Sequence, residues 1–340
     1  MEDDVTNTAC IVYASDDKFA EILGISIISL FENSKDMQKI IIYILDSGIS
    51  FINKEKIEFI FKKYKRGNPE WIKAKNISEE ISMEVSTDRG SLSQYARLFI
   101  SSLLPENIKK VLYLDCDILV MKSIKEIWKL DLHGKTIAAL MDAFSKYYRI
   151  NIGLEPEDIM FNSGVMLVDL EKWKKQKIEE KLLKFISKKN GNIQQGDQGV
   201  LNAILSNNTY CFEPYFNSVS IYFDFSYDEL LIYRKPPVFY ERSQIKKAVT
   251  EPYIVHFTTS FISKRPWIEG CCHPYAGEWI KYKNISPWKD IPLYKDTRHK
   301  IYRTAGFVAE HIPRKIMCFL FGILQAYIRP RVNYIKNKFY

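Results

Sequence analysis

The chain has 340 residues, of which 46% are hydrophobic and 14% aromatic, and it contains 14 glycines and 13 prolines. This composition excludes a disordered, collagen-like or low-complexity chain and predicts a globular protein with a large buried core. The length is compatible with one α/β domain carrying an appendage, and also with two or three domains.

The positive charge of the chain is concentrated at its C-terminus. The net charge is +8, and residues 298–340 carry nine basic residues against the single acidic Glu310. The rest of the chain is neutral, so a body that binds nucleic acid is not expected. Any anionic surface should instead meet the basic residues of the tail, which are Arg298, Lys300, Arg303, Arg314, Lys315, Arg329, Arg331, Lys336 and Lys338.

Cysteine usage and the N-terminus predict a location. The six cysteines show no C-x-x-C spacing, and several lie in apolar runs, which indicates a reducing compartment. The N-terminal Met1-Glu-Asp-Asp is acidic and lacks the basic and apolar regions of a signal peptide. We therefore expect a cytoplasmic protein.

The first half of the chain alternates short β-branched runs with amphipathic stretches, which predicts a parallel sheet flanked by helices. The run Val111-Leu112-Tyr113-Leu114 is too apolar to face water on either side, so it should be a central strand. From residue 207 to about 288, Pro- and aromatic-rich segments predict loops and short antiparallel strands. The predicted strands are 10–14, 39–45, 110–114 and 164–169, and the predicted helices are 19–32, 53–65, 91–104, 170–188 and 197–205.

The segment 316–328 is almost continuously apolar and is bounded by basic residues on both sides. Spanning a bilayer takes about 20 apolar residues, so about 13 are too few. A short apolar helix with basic flanks suits the headgroup region of an anionic leaflet. The alternative is a helix docked on the body of the protein or on a second subunit.

The triplet Asp115-Cys116-Asp117 follows directly on the predicted central strand. Both carboxylates should therefore emerge at the carboxyl end of a parallel strand, where open α/β sheets bind their ligands. Two carboxylates can hold a divalent cation while a diphosphate supplies further oxygens. The triplet is thus a candidate metal site.

A second strand end carries similar side chains. In Tyr13-Ala14-Ser15-Asp16-Asp17, small residues and two carboxylates follow the first predicted strand. The chain contains neither G-x-G-x-x-G nor a P-loop lysine, which disfavours a dinucleotide or Walker-type phosphate cradle. A nucleotide held through its base and ribose is compatible with this segment, as is a simple capped turn.

His256 ends the apolar run Tyr253-Ile254-Val255 and precedes two cations, Lys264 and Arg265. A single histidine is usually a buried structural residue. This one is placed as a third metal ligand would be, beside charges suited to a leaving diphosphate.

Together these motifs resemble the family 8 glycosyltransferases, and among them the bacterial lipopolysaccharide galactosyl- and glucosyltransferases. The matching motifs run in family order over about residues 10–290. They are Tyr13-Ala14-Ser15-Asp16-Asp17, Tyr95-Ala96-Arg97-Leu98, Leu112-Tyr113-Leu114-Asp115-Cys116-Asp117, Phe161-Asn162-Ser163-Gly164-Val165-Met166-Leu167, Asp197-Gln198-Gly199-Val200-Leu201-Asn202, His256-Phe257-Thr258 and Lys264-Arg265-Pro266-Trp267.

The resemblance implies a GT-A fold, which is an α/β fold with a Rossmann-like, mixed but mostly parallel sheet and flanking helices. It implies a catalytic domain at 1–290, and we expect 291–340 to be a basic helical region that associates with the inner face of the plasma membrane. The implied activity is metal-dependent transfer of galactose or glucose from a UDP-sugar, with retention of configuration. The expected acceptor is a saccharide or lipid-linked glycan of lipopolysaccharide, capsule or another surface glycan.

The resemblance also implies roles for individual residues. Asp115, Asp117 and His256 would bind Mn²⁺ or Mg²⁺. Lys18 stands where the family more usually has Asn, and the loop from His256 to Pro266 is longer than in the common pattern and lacks its glycine, so either Lys264 or Arg265 would reach the diphosphate. The residues expected to bind the nucleotide sugar are Ala14, Asp16, Lys18, Arg97, Asp115, Cys116, Asp117, Asp142, Asn162, Asp197, Lys264 and Arg265.

Two mechanisms are compatible with retention. Asp197 could act as a nucleophile and form a covalent intermediate, in the way that paired carboxylates serve glycosidases. Alternatively, the acceptor could attack on the face that the diphosphate leaves, with Gln198 near the anomeric carbon. An amide forms a poor covalent intermediate, so Gln198 at this position favours same-face attack.

Three other functions compete with this interpretation. An apolar strand ending in Asp-x-Asp also opens the haloacid-dehalogenase-like phosphatases, in which Asp115 would be the nucleophile. The second alternative is a non-catalytic membrane-bound scaffold. Such a protein would need no metal site, so the presence of the two carboxylates, His256 and the cationic loop together argues against it. A self-glucosylating enzyme related to glycogenin fits the 21 tyrosines, but the basic tail fits a lipid-linked acceptor better.

Overall fold

The computed structural model describes residues 7–86, 91–298 and 311–339, together with 303, 304, 306 and 308. The acidic Met1-Glu-Asp-Asp and the tail residues Lys300 and Glu310 lie outside the described residues, as do the side chains of Lys336 and Lys338.

Within the described residues, seven strands form the main sheet in the order β3-β2-β1-β4-β7-β6-β8, and three form a small sheet in the order β5-β10-β9. The main sheet is parallel except for β7, which runs antiparallel to both of its neighbours. The strands are β1 (Thr8–Ser15), β2 (Lys39–Asp46), β3 (Glu70–Lys73), β4 (Lys110–Leu114), β5 (Ile118–Val120), β6 (Ile137–Met141), β7 (Phe161–Asp169), β8 (Thr209–Cys211), β9 (Ser218–Val219) and β10 (Ile254–His256).

Helices flank the main sheet and cover its apolar faces, so that β4 and β7 are buried on both sides. In chain order the helices are α1 (Ala20–Asn33), α2 (Phe51–Tyr64), α3 (Ile77–Glu80), α4 (Ile100–Leu103), α5 (Lys125–Trp128), α6 (Lys146–Asn151), α7 (Leu170–Lys175), α8 (Ile178–Lys188), α9 (Gly196–Leu205), α10 (Ile221–Asp224), α11 (Tyr227–Arg234), α12 (Arg242–Thr250), α13 (Ala276–Asn284), α14 (Arg314–Ile323) and α15 (Arg329–Phe339).

The elements predicted for the first half are confirmed, with two differences. The helix expected at 91–104 is a 3-10 helix over Leu92–Phe99 that continues into α4. The helix expected at 170–188 is two helices, because Lys177 adopts a left-handed backbone (φ 53°) and interrupts the winding between α7 and α8.

The prediction of loops and short antiparallel strands for residues 207–288 is confirmed only in part, since β10 is short and antiparallel to β5 but four helices were not predicted. The region contains α10 to α13, and its strands β8 and β9 pair in parallel with β6 and β10. Capping boxes start α11 at Ser226 and α12 at Glu241. Tyr222 of α10, Tyr233 of α11 and Trp279 of α13 pack against the main core, so the apolar periodicity of these helices is hard to recognise in an aromatic-rich sequence.

The tail forms a helical rod of α14, a π-helical turn (Leu324–Ile328) and α15, and one face of it docks on the body. Met317, Cys318 and Ala326 are buried on this face. Gly322 permits a close approach, since a Cβ there would lie 2.7 Å from the Ile232 carbonyl oxygen of α11. The alternative of a docked helix is therefore realised.

The opposite face of the rod is apolar and open to solvent. Its side chains follow one another at intervals of one to four residues along the rod and are each 42–54% exposed. Among the described residues, no helix is both long and apolar enough to cross a membrane, as the length of the apolar run predicts. We name this face the apolar stripe, and its residues are Ile316, Phe319, Leu320, Leu324, Ile328, Val332, Tyr334 and Ile335.

Candidate active site

The carboxyl ends of β1 and β4 lie side by side at the centre of the main sheet. Val12 pairs with Tyr113 in parallel register, so Ala14 and Asp115 emerge at the same edge. The Cys116 thiol joins the two strand ends by donating to the Ala14 carbonyl oxygen (3.2 Å). Burial raises the pKa of Cys116, which keeps the thiol protonated and able to donate.

Asp16 and Lys18 lie on the turn that follows β1. The Asp16 carboxylate accepts hydrogen bonds from the Phe19 backbone N–H (3.3 Å) and from the Ser91 hydroxyl (2.9 Å). These contacts fix its orientation. Lys18 lies at the solvent surface of the turn.

The small sheet brings His256 to the carboxylates. β10 pairs antiparallel with β5, which sets His256 opposite Ile118, and the Phe257 N–H donates to the Asp117 carbonyl oxygen (2.9 Å). The His256 Nε2 lies 3.2 Å from Asp117 Oδ1 and 3.8 Å from Asp115 Oδ2. Three side chains predicted to act together are thus adjacent in the fold.

Asn217 fixes the orientation of the His256 ring. Its side-chain oxygen is 3.0 Å from His256 Nδ1, and its amide donates to the Asn162 side-chain oxygen (3.0 Å). Since an amide oxygen only accepts, Nδ1 must carry the proton. Nε2 is the ring nitrogen that faces the carboxylates. This buried atom has no hydrogen-bond partner among the described residues.

Gly164 on β7 leaves the space that the His256 ring occupies. A Cβ at this position would lie 2.1 Å from His256 Cε1 and 2.9 Å from Asp115 Oδ2. The Gly164 carbonyl also accepts from the Asp115 backbone N–H (2.7 Å). Only a glycine allows β7 to pass this close to both groups.

These residues fit a divalent cation. One ligand atom from each of Asp115, Asp117 and His256 lies within 4.8 Å of the others. Carboxylate oxygens with a neutral imidazole nitrogen suit divalent cations such as Mg²⁺ and Mn²⁺. The Nε2 of His256, without a hydrogen-bond partner among the described residues, is the donor that such an ion would engage.

Arg97 ties two carboxylates of the site together. Its guanidinium lies 2.8 Å from Asp115 Oδ1 and 2.8 Å from Asp197 Oδ2, and it stacks on the Tyr113 ring at 4.5 Å. Burial alone would lower the pKa of Arg97, but Asp115 and Asp197 outweigh burial and raise it. Arg97 is therefore a permanent positive charge, and Asp197 is held in an ion pair.

Gln198 follows Asp197 in the first turn of α9. Its side-chain oxygen accepts from the Ser163 backbone N–H at 3.3 Å, which turns the side chain toward the start of β7. Gln195, which precedes the helix, and Gly196, its first residue, have left-handed conformations (φ 69° and 55°). This turn directs the first residues of α9 to the site edge of the sheet.

Asp142, which directly follows β6, and Asn162 on β7 join the site. Burial raises the pKa of Asp142, which Arg234 and a hydrogen bond with Asn162 counteract. The Asn162 side-chain oxygen also accepts from the Gly164 N–H (3.0 Å). A chain of polar contacts thus runs from Asp142 through Asn162 and Asn217 to His256.

The two cations of the 257–265 loop point in different directions. Arg265 Nη2 lies 3.0 Å from Asp117 Oδ2, inside the site. The Lys264 ammonium donates to the Glu269 carbonyl oxygen (3.1 Å) and lies 3.8 Å from Asp296. The fold therefore brings Arg265, and not Lys264, to the carboxylates.

Sequence reasoning missed Asn217 and the role of Gly164. A glycine between apolar residues of a predicted strand signals a close approach by another group, so Gly164 could have been found. Asn217 lies in an aromatic-rich segment, and its neighbours carry no comparable signal.

The model of the family described as "Glycosyl transferase family 8" matches residues 10–270. The chain belongs to glycosyl transferase family 8. The match includes most of β1, both carboxylates after β4, His256 and Arg265. Since this is a family of transferases, the match disfavours the interpretation of Asp115 as the nucleophile of a phosphatase.

Similar proteins cover most of this glycosyltransferase. General stress protein A of Bacillus subtilis is 31% identical over 285 residues, which are 83% of this chain and 95% of that protein. The lipopolysaccharide 1,2-glucosyltransferase of Escherichia coli is 28% identical over 208 residues, which are 59% of this chain and 56% of that protein.

Among solved structures, the galactosyltransferase LgtC in complex with donor and acceptor sugar analogues has a TM-score of 0.67. Its sequence is 24% identical, and the match covers 82% of this chain and 96% of LgtC. This likeness concerns the fold. The predicted GT-A architecture, with its mostly parallel sheet and a helical C-terminus, is confirmed.

Proposed function

We propose that this glycosyltransferase moves galactose or glucose from a UDP-sugar to a saccharide acceptor, with retention of configuration and with Mn²⁺ or Mg²⁺ as cofactor. The observation that carries the proposal is the cluster of Asp115, Asp117 and His256 with Arg265 beside it. Two carboxylates, one imidazole and one guanidinium at the end of parallel strands suit a cation and a diphosphate together.

Breaking the bond from sugar to phosphate leaves a diphosphate whose negative charge must be neutralised. A divalent cation held by Asp115, Asp117 and His256 would supply Lewis acidity at the diphosphate. Arg265 would supply a second positive charge, since its guanidinium already lies against Asp117. We assign this role to Arg265 rather than Lys264 because the Lys264 ammonium lies near Glu269 and Asp296.

Same-face attack is the mechanism that we propose for retention. Asp197 is held by Arg97 at 2.8 Å, and an ion-paired carboxylate is a weaker nucleophile. Gln198 would stabilise positive charge on the anomeric carbon through its side-chain oxygen. The leaving diphosphate would accept the proton of the acceptor hydroxyl, so no separate general base is required.

The remaining predicted residues would hold the donor. Ala14 and Asp16 follow β1, where the uridine would bind, with Lys18 at the solvent edge and Cys116 between the two strand ends. The sugar would contact Arg97, Asp142, Asn162 and Asp197, which converge from a 3-10 helix, the end of β6, β7 and α9.

We propose a saccharide or lipid-linked glycan of lipopolysaccharide, capsule or another surface glycan as acceptor. The E. coli relative named lipopolysaccharide 1,2-glucosyltransferase supports this class. The apolar stripe and the basic residues around it support binding to an anionic membrane surface. The protein would then work at the cytoplasmic, inner face of the plasma membrane, with 1–290 as catalytic domain and 291–340 as the membrane-associating region.

The test is UDP release by purified protein from a panel of UDP-sugars, with Mn²⁺, with Mg²⁺ and with chelator. We expect metal-dependent hydrolysis of UDP-galactose or UDP-glucose. The Asp115→Ala/Asp117→Ala variant should lose it, whereas Asp290→Ala, which removes an exposed carboxylate outside the site, should keep it.

A second variant tests the mechanism. Gln198→Ala should bind UDP with metal as the wild type does but turn over slowly, and full activity would exclude the role of Gln198. A wild-type protein with neither UDP release nor metal-dependent UDP binding would contradict the proposed function.

A further inference from the structure

The loop 257–265 packs against the C-terminal helix through Phe261. The Phe261 ring lies 5.1 Å from the ring of Phe321 on α14, 5.7 Å from that of Tyr233 and 6.2 Å from that of Phe225. Phe225 and Tyr233 are themselves stacked at 4.9 Å. The added length of this loop thus places an aromatic side chain in a socket that the tail completes.

The tail also supports a second attachment of the same loop. The Ser263 hydroxyl donates to the buried Asp224 carboxylate at the end of α10. Arg314, the first residue of α14, donates to the Asp224 carbonyl oxygen and lies 3.3 Å from Glu229. Arg314 and Phe321 are seven residues apart, so they lie on one face of the helix, opposite the apolar stripe.

The loop holds Arg265 through its own backbone and side chains. Arg265 Nε donates to the Phe257 carbonyl oxygen (3.0 Å), and Nη2 donates to the Thr259 hydroxyl (3.1 Å). These bonds direct the guanidinium to Asp117. The conformation of residues 257–265 therefore determines where the positive charge lies relative to the carboxylates.

We infer that Phe261 and Phe321 are positioning residues that act through Arg265. The buried face of the C-terminal helix would hold the 257–265 loop in the conformation that presents the guanidinium to the diphosphate of the donor. The helix would then support the active site from one face, independently of what its apolar stripe binds. This inference rests on the proposed function, because the diphosphate is the group that Arg265 would meet.

The experiment compares the affinities of UDP and of uridine in the presence of Mn²⁺ and in the absence of membranes. Phe261→Ala and Phe321→Ala should each weaken UDP binding on the order of tenfold, and should change uridine binding by less than about twofold, because uridine lacks the diphosphate. Phe59→Ala removes an exposed phenylalanine of α2 and serves as the matched control with unchanged affinities.

A double-variant cycle separates positioning from general packing. In an Arg265→Ala background, Phe321→Ala should weaken UDP binding no further, since its effect passes through Arg265. Phe321→Leu keeps most of the apolar volume and provides a folded variant if the alanine variant unfolds. It should also lower the ratio of UDP to uridine affinity.

Three results would overturn the inference. These are unchanged UDP affinity in the phenylalanine variants, equal loss of UDP and uridine affinity, and full additivity with Arg265→Ala. A wild-type protein that fails to bind UDP with Mn²⁺ would instead contradict the proposed function, so the two failures are distinguishable.

Discussion

Gly164 sets the distance between β7 and the imidazole of His256. Gly164→Ala would introduce a Cβ 2.1 Å from His256 Cε1, so either the ring or the strand must shift. We expect the variant to fold, but its affinity for UDP in the presence of metal should fall about tenfold or more. Residues that hold metal ligands in place typically contribute 10–100-fold to metal affinity. Titration calorimetry with Mn²⁺ and UDP measures this.

Gly277→Ala is the matched control for that substitution. Gly277 lies in α13, and a Cβ there would meet no atom within 4 Å. Its replacement should leave UDP affinity unchanged and stabilise the helix slightly. Equal behaviour of the two variants would exclude a special role for Gly164.

His273 makes stability depend on pH. Its ring lies 4.9 Å from those of Phe223 and Phe257, and burial lowers its pKa from 6.5 to about 4. Below pH 6.5 the unfolded chain binds a proton that the folded chain does not, so the free energy of unfolding falls as the pH falls toward 4. The slope contributed by this group approaches about 1.4 kcal/mol per pH unit.

Urea unfolding at pH 7.5 and pH 5.0 checks this expectation. The wild type should lose about 2 kcal/mol more than His273→Phe between these two pH values. His133→Phe, at an exposed histidine, should behave as the wild type does. Identical pH dependence in His273→Phe would refute the assignment.

At the scale of single residues, the sequence predicts a side chain well when it follows an apolar strand. Asp115, Asp117 and His256 each end such a run, and the sheet brings them together. Asn217 has no such marker, because it reaches His256 only through the pairing of β9 with β10. Lys264 and Arg265 are adjacent and carry the same charge, so the sequence does not show which of them faces the carboxylates. Only the conformation of the folded loop shows that Arg265 does.

At the scale of elements, a buried ion pair joins the first helix to the last helix of the body. Glu21 of α1 contacts Lys283 of α13, with both side chains at most 5% exposed. Tyr294 donates to the Glu21 carboxylate (2.9 Å), and Lys283 donates to the Trp288 carbonyl oxygen (3.0 Å). The pair anchors residues 276–294 beside the helix that follows β1.

Lys283→Met should lower the free energy of unfolding by about 3–5 kcal/mol, because it leaves the Glu21 carboxylate buried without its cation. The double variant Glu21→Gln/Lys283→Met should recover part of this loss. Lys281→Met breaks an exposed pair with Glu278 on the same helix and should cost less than about 1 kcal/mol. Equal effects of Lys283→Met and Lys281→Met in urea unfolding would contradict this expectation.

Most elements of the main sheet's first half follow from the sequence because alternation of strand and helix repeats there, although β3 and β6 were not predicted. The helices beyond residue 207 were not predicted, since α10 to α13 are short and the buried positions of α10, α11 and α13 include aromatic side chains. Local patterns also give no indication that β5, only three residues long, pairs with β10 far along the chain. Such long-range pairing depends on the whole fold.

At the scale of the whole molecule, the apolar stripe predicts reversible membrane binding. The protein should bind vesicles that contain anionic lipid, and binding should weaken with salt and in neutral vesicles. Phe319→Ser/Leu324→Ser should reduce binding about 10–100-fold, since two half-exposed apolar side chains contribute about 1.5–3 kcal/mol. Vesicle sedimentation measures the bound fraction.

Phe59→Ser serves as the control for this experiment, since Phe59 is 56% exposed on α2, outside the tail. It should leave vesicle binding unchanged. Equal binding of all variants, or binding insensitive to anionic lipid, would contradict a membrane role for the stripe and favour a protein partner on the same face.

The pairing of β5 with β10 joins segments that leave the ribosome at different times. His256 is synthesised roughly 140 residues after Ile118, an interval of roughly 7–28 s at about 5–20 residues per second. Throughout that interval the nascent chain already carries Asp115 and Asp117 but not the imidazole or the guanidinium of the same site. The proposed metal and donor site is therefore complete only after His256 and Arg265 have been synthesised, late in the chain.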